Sequence, residues 1–124
     1  MVRMVIESAS GNTAVINTAG VAKYSGASAL DFVLYIEKEY NCREIIMNKS
    51  AVTEEFFDLS TGIAGEVAQK LVNYGYRIAI VGDFSVYDSK SLHDSIFESN
   101  NGKNLYFAAD EDEAVERLRS GGQQ

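Results

Sequence analysis

The residues best suited to chemistry stand together in "DLSTGIAGE": a carboxylate at Asp58, hydroxyls at Ser60 and Thr61, and glycines at Gly62 and Gly65. They fall where a long helical pattern begins. Any one of Asp58, Ser60 or Thr61 can cap that helix by accepting a bond from a free backbone N–H, a contribution of about 1 kcal/mol. Three such oxygens, with Gly62 leaving the backbone unshielded, also make a helix end suited to an anion such as phosphate. A phosphoryl group on Ser60 or Thr61 would be favoured by the helix dipole and opposed by Asp58. Gly62 and Gly65 lie three apart on one face, which implies either tight packing on a sheet or the close approach of a partner. Capping and packing is one reading of the motif. A partner-facing, modifiable surface is the other.

Two further polar segments follow apolar runs: "NKS" (Asn48, Lys49, Ser50) and "GDFS", which contains Asp83 and Ser85. In this setting Lys49 can meet an anion, while Asp83 or Asp58 can hold a hydroxyl or a metal-bound water. "VGD" is not half of a nucleotide fingerprint, because neither G-x-G-x-x-G nor G-x-x-x-x-G-K-[ST] occurs. His93 is the only histidine and sits mid-helix, so neither a histidine-based metal site nor a Ser-His-Asp order is available to it. The run "DEDE" from Asp110 to Glu113 lacks the alternation and glycine of a calcium loop and suits the first turn of a helix. Cys42 is the only cysteine and reads as a small half-buried hydrophobe. The seven tyrosines are scattered, and most are expected in core or half-buried contacts. No complete catalytic set emerges, and no cofactor is implied.

These loops need a scaffold, and the pattern supplies one. The strand-length runs "MVIES", "TAVIN", "EIIM", "RIAIVGD" and "NLYFAA" alternate, after the first pair, with helical periodicity. "ASGN" between the first two suits a hairpin. From Ala27 to Tyr40 the apolar positions Ala29, Phe32, Val33, Ile36 and Tyr40 share one helical face. Leu59, Ile63, Val67 and Leu71 form another, closed by Gly75 in the position that favours a left-handed cap. A helix opened by Asp88 or Ser89 and a last one over "DEDEAVERLRS" complete the order β-β-α-β-α-β-α-β-α. The expected fold is α/β, a five-stranded mixed, mainly parallel sheet with about four helices. One domain is expected over 1–119, with a disordered tail at 120–124. In such sheets ligands and partners meet the carboxyl ends of the strands, which gathers the segments around Asn48, Asp58 and Asp83.

With 124 residues, 46% hydrophobic and 23% charged, the chain has the size and makeup of one globular domain. Its formal charge of −7 argues against a nucleic-acid surface, which needs clustered Lys and Arg. No segment has the roughly 20 apolar residues that cross a bilayer, and "MVRMVIESASG" is unlike a signal peptide. A cytoplasmic protein with a protein partner is expected, and a homo-oligomer stays open.

The run from Asn48 to Gly102, "NKSAVTEEFFDLSTGIAGEVAQKLVNYGYRIAIVGDFSVYDSKSLHDSIFESNNG", resembles an uncharacterised bacterial family described only as a domain of unknown function. The order strand, loop, "DLSTG", long helix, "RIAIVG" is also similar to the STAS fold of anti-sigma-factor antagonists. There an Asp-Ser-Ser-Gly-type motif opens a helix and carries the phosphorylated hydroxyl. The resemblance implies Asn48 near a strand end, Asp58 at the motif aspartate, and Ser60 or Thr61 as acceptor ahead of Gly62. "DLSTG" has one residue more than that four-residue motif, and the loop before it is longer. A protein of this kind is a non-enzymatic regulatory module that docks through this helix and its loops, with phosphate as an off-switch. The alternative reading is a small anionic-ligand or nucleotide-binding protein with a pocket at the strand ends. Both readings use Asn48, Lys49, Ser50, Asp58, Ser60, Thr61, Gly62 and Asp83.

Overall fold

The computed structural model describes residues 2–7, 11–16, 26–52 and 54–122. Five strands, β1 (Val2–Ile6), β2 (Thr13–Ile16), β3 (Glu44–Asn48), β4 (Arg77–Val81) and β5 (Leu105–Ala108), lie side by side in chain order. β1 and β2 pair antiparallel, and each later strand pairs parallel with the one before it. Among the described residues there are four α-helices: α1 (Gly26–Tyr40), α2 (Ile63–Tyr74), α3 (Lys90–Asn100) and α4 (Glu111–Gly122). The fold is thus α/β with a five-stranded mixed sheet. The "ASGN" turn and Tyr24 fall wholly or partly outside the described residues.

Alternation along the strands makes two cores, since successive side chains point to opposite faces. Ile45, Met47, Ile78, Ile80, Leu105 and Phe107 face one way and meet α1, α2 and α3 through residues such as Val33, Leu71 and Leu92. Ile46, Ala79, Tyr106 and Ala108 face the other way and meet Ala114 and Leu118 of α4. Burial on both faces explains why "RIAIV" reads as an unbroken apolar run. The helix boundaries have local causes. Gly75, at φ 76°, ends α2 with its N–H on the Leu71 carbonyl. Ser89 opens α3 by accepting from the Leu92 N–H at 3.1 Å. Asp110 accepts from the Glu113 N–H at 2.8 Å at the start of α4.

Three features depart from expectation. α2 begins at Ile63, and "LST" forms a separate 3₁₀ turn, Leu59–Thr61, ahead of it. Two more 3₁₀ turns, Lys49–Ala51 and Glu54–Phe57, fill what reads as plain loop and bury Ala51, Phe56 and Phe57. α4 continues through Gly122, so the segment expected as a tail from 120 is helical at its start, and its last two residues lie outside the described ones. Among the tyrosines, Tyr76 and Tyr106 are buried, whereas Tyr35, Tyr40 and Tyr74 are exposed on α1 and α2.

Candidate functional site

The carboxyl ends of β3 and β4 carry two copies of one local device. Asp58 accepts at Oδ1 from the Ser60 N–H at 3.0 Å and from the Ser60 hydroxyl at 2.7 Å. Asp83 accepts at Oδ1 from the Ser85 N–H at 2.9 Å and from the Ser85 hydroxyl at 2.5 Å. In each, a carboxylate closes a turn onto the residue two positions on. The Ser60 hydroxyl, followed by its backbone N–H, holds Asp58 below the usual carboxylate range. The Ser85 hydroxyl and N–H do the same for Asp83, with Lys49 adding to the effect. Both acids are therefore ionised near neutrality and exposed.

Ser60 and Thr61 are adjacent and differ in use. The Thr61 hydroxyl lies 2.8 Å from the Asp58 carbonyl and 2.9 Å from the Glu55 carbonyl, and accepts from the Ile63 N–H at 3.2 Å. It ties the 54–57 turn to the first residue of α2. Among the described residues, the Ser60 hydroxyl bonds Asp58 and no other group. Between this turn and the helix, Gly62 sits at φ 74°, a left-handed conformation in which other residues are strained. A side chain at Gly62 or Gly65 would meet no atom within 4 Å. Tight packing on the sheet is thus not what these glycines provide. Both lie open to solvent.

Lys49 centres the second half of the rim. Its stem crosses Gly82 so closely that a Cβ there would lie 2.6 Å from the Lys49 Cβ. Its ammonium stands 4.8 Å from the Tyr87 ring centroid and 3.7 Å from Glu54, whose carboxylate also accepts from the Tyr87 hydroxyl at 2.7 Å. The Tyr87 hydroxyl and the Glu54 charge raise the Lys49 proton affinity against the opposing effect of burial. Below it, Tyr87 stacks on Phe57 at 5.2 Å, and Phe84 lies edge-on to Phe107. Asn48 donates its side-chain amide to the Ser50 hydroxyl. The rim thus brings Asn48 to Ser50 and Lys49 to the neighbourhood of Asp83. Among the described residues, no hydrogen bond or ion pair joins the Asp58–Thr61 turn to Lys49, Ser50 or Asp83.

A family model described as a domain of unknown function, DUF4180, matches residues 5–118. The chain belongs to the DUF4180 family. No curated protein and no solved structure matches it. The DUF4180 rim also contains residues that sequence reasoning missed, namely Glu54, Phe57, Phe84 and Tyr87. Only the adjacent aromatics of "EEFFD" hinted at a buried turn, and nothing in the spacing linked Glu54 to Tyr87 across 33 positions. His93 reaches the same neighbourhood by a structural route, with Nε2 2.6 Å from the Tyr87 carbonyl. Among the described residues of this DUF4180 chain, no group of three or more His, Cys, Asp or Glu is arranged to hold a metal, and no helix is long and apolar enough to cross a membrane.

Proposed function

We propose that this DUF4180 protein is a non-enzymatic regulatory module with a STAS-like fold, docking a protein partner through the rim at the ends of β3 and β4, with Ser60 as the residue a protein kinase modifies. The observation that carries the reading is the contrast between neighbouring hydroxyls. Ser60 is exposed and, among the described residues, held by the Asp58 side chain of its own turn alone, whereas Thr61 is committed to three backbone groups. In phosphoryl transfer from ATP, the Ser60 oxygen loses its proton and gains the O–P bond as ADP leaves. The added charge then faces ionised Asp58, so the turn that Asp58 closes must open. A docking face that includes this turn loses its shape.

The rival reading, an anionic ligand or nucleotide held at the strand ends, relies on Lys49 as its cation. Lys49 is already matched to Glu54 and spread over Tyr87, and Phe57, Phe84 and Tyr87 fill the space beneath it. This geometry supports a docking face over a ligand crevice. Intact-mass analysis of protein from its native host, with Ser60→Ala alongside, tests the proposal. The expected result is one added phosphoryl group on the wild type, none on S60A, and a partner captured by unmodified protein alone. Modification confined to Thr61, or a partner captured equally by both forms, overturns it.

A further inference from the structure

Exposed charge is sorted along the strand axis. Beyond the carboxyl ends of β3, β4 and β5, the exposed acids Glu55, Asp58, Asp83, Asp88 and Asp110 enter no ion pair among the described residues. The described cations of that end, Arg3, Lys49 and Lys90, are each matched already, to Glu111, Glu54 and Asp94. At the amino ends the reverse holds. Lys38, Lys103 and Arg119 are exposed there and enter no ion pair among the described residues. Helix dipoles favour this sorting, with acids at first turns and bases at last ones, so charge by itself does not make a site.

A second observation is apolar. Leu59 and Val86 are 38% and 62% exposed, and capping gives neither a reason to be there. Both adjoin one aromatic floor. Phe57, two residues before Leu59, stacks on Tyr87 at 5.2 Å and meets Phe84, two residues before Val86, at 5.7 Å. These ring contacts bring the Asp58 and Asp83 turns to the same floor. Exposed aliphatic side chains next to it, with unmatched carboxylates beside them, have the makeup of an interface with an apolar core and a charged rim. We infer, resting on the docking reading above, that the partner enters this face with a basic segment, an apolar side chain set between lysines or arginines. The sign of the rim opposes anionic lipid and nucleic acid, and a second copy would bring the same acids. A phosphoryl group on Ser60 adds charge of the sign that attracts such a segment. On the docking reading it therefore releases the partner through the shape of the Asp58 turn, against the charge.

The probe is the end-capped peptide KLKLK, titrated into the whole chain and followed by amide chemical shifts, with KSKSK and ELELE as controls. KLKLK should shift the Leu59 and Val86 signals saturably, and raising the salt from about 20 to about 200 mM should weaken it. Leu59→Ser with Val86→Ser, and separately Glu55→Gln with Asp88→Gln, should each weaken binding about tenfold. Glu39→Gln, at the amino ends, should leave it unchanged. All five side chains are exposed, so the fold should survive each change. KSKSK binding as tightly as KLKLK, shifts centred away from Leu59 and Val86, or no saturable binding overturns the inference. If KLKLK fails while the unmodified chain still captures its partner, the basic segment is wrong and the docking reading stands. If chain phosphorylated at Ser60 binds KLKLK as well as unmodified chain does, the basic segment stands and the off-switch is wrong.

Discussion

The two ends of the strand layer use polar side chains in opposite ways. At the amino ends of β3 and β4, polar groups tie distant parts of the chain together. Arg77 pairs with Glu44, donates to the Leu118 carbonyl at 2.5 Å and to the Tyr106 hydroxyl at 3.2 Å, and reaches the Lys103 carbonyl at 2.8 Å. Nearby, Asn104 donates to the Tyr76 carbonyl at 2.9 Å, and Tyr76 donates to Glu37 at 2.6 Å. At the carboxyl ends, Asp58 with Ser60 and Asp83 with Ser85 bond within three-residue turns and stay exposed. Bonds across the sequence hold helices to the sheet. Bonds within a turn fix a local shape and leave the fold little dependent on them, which is the condition a modifiable or partner-facing surface needs.

The sharpest way to break this contrast is at the amino end. Arg77 and Glu44 have side chains only 17% and 15% exposed, and burial raises the Glu44 carboxyl while Arg77 opposes that rise. Arg77→Ala leaves a half-buried carboxylate, the Tyr106 hydroxyl and the last turn of α4 without their donor. A loss of about 3 kcal/mol is expected, since removing one member of a buried pair strands the other. Urea unfolding at neutral pH reads it as a lower midpoint. Because the folded Glu44 carboxyl binds its proton more tightly than an unfolded one, part of the loss should return as pH falls through the folded value. A loss no larger than that of an exposed pair would mean that the amino end is not the clamp.

A second, smaller effect is expected where the rim touches the fold. A Cβ at Gly82 would meet the Lys49 stem at 2.6 and 3.0 Å, closer than side chains can pack. Gly82→Ala should cost about 2 kcal/mol by overpacking and should push Lys49 away from Tyr87. Chemical-shift changes at Tyr87, Glu54 and Asp83, with those at Ser60 unchanged, would sharpen the view that the rim has two independent halves. Changes that spread to Ser60 would merge them.

This division also sets what the sequence alone can disclose. Apart from the start of α2, strand and helix positions were legible to within about two residues, because their cause is periodic burial against two cores. Gly75 and Ser89 were legible because caps depend on a few adjacent residues. The clamp around Arg77 was not, since its partners lie 26 to 41 positions away and no local pattern ties a strand's first residue to a carbonyl near the end of a distant helix. The three 3₁₀ turns were missed for another reason. Runs of three or four residues are too short for a period to show. For the same reason "DLST" looked like the first turn of α2, when Gly62 at positive φ separates the two.

The smallest effects separate Ser60 from Thr61. Thr61→Ala removes the hydroxyl that accepts from the Ile63 N–H and joins the 54–57 turn to α2, and should cost about 1 kcal/mol. Ser60→Ala should leave the unfolding midpoint almost unmoved, because its side-chain bond to Asp58 is exposed and local. Its signature lies in Asp58. The Ser60 hydroxyl is the main reason the folded Asp58 carboxyl sits low. A depressed folded value gives stability that is present above the unfolded value and is lost as pH falls through the folded one. Removing the hydroxyl should therefore raise the Asp58 midpoint toward that of an ordinary aspartate in an NMR pH titration. Asp83, whose own partner Ser85 is untouched, should not move and serves as the internal reference. If both acids shift together, the two turns are coupled through the rim, and the independence that makes Ser60 a separable switch is lost. If Asp58 stays low without the hydroxyl, the backbone N–H of residue 60 alone sets the turn, and a phosphoryl group on Ser60 could not open it by displacing that bond.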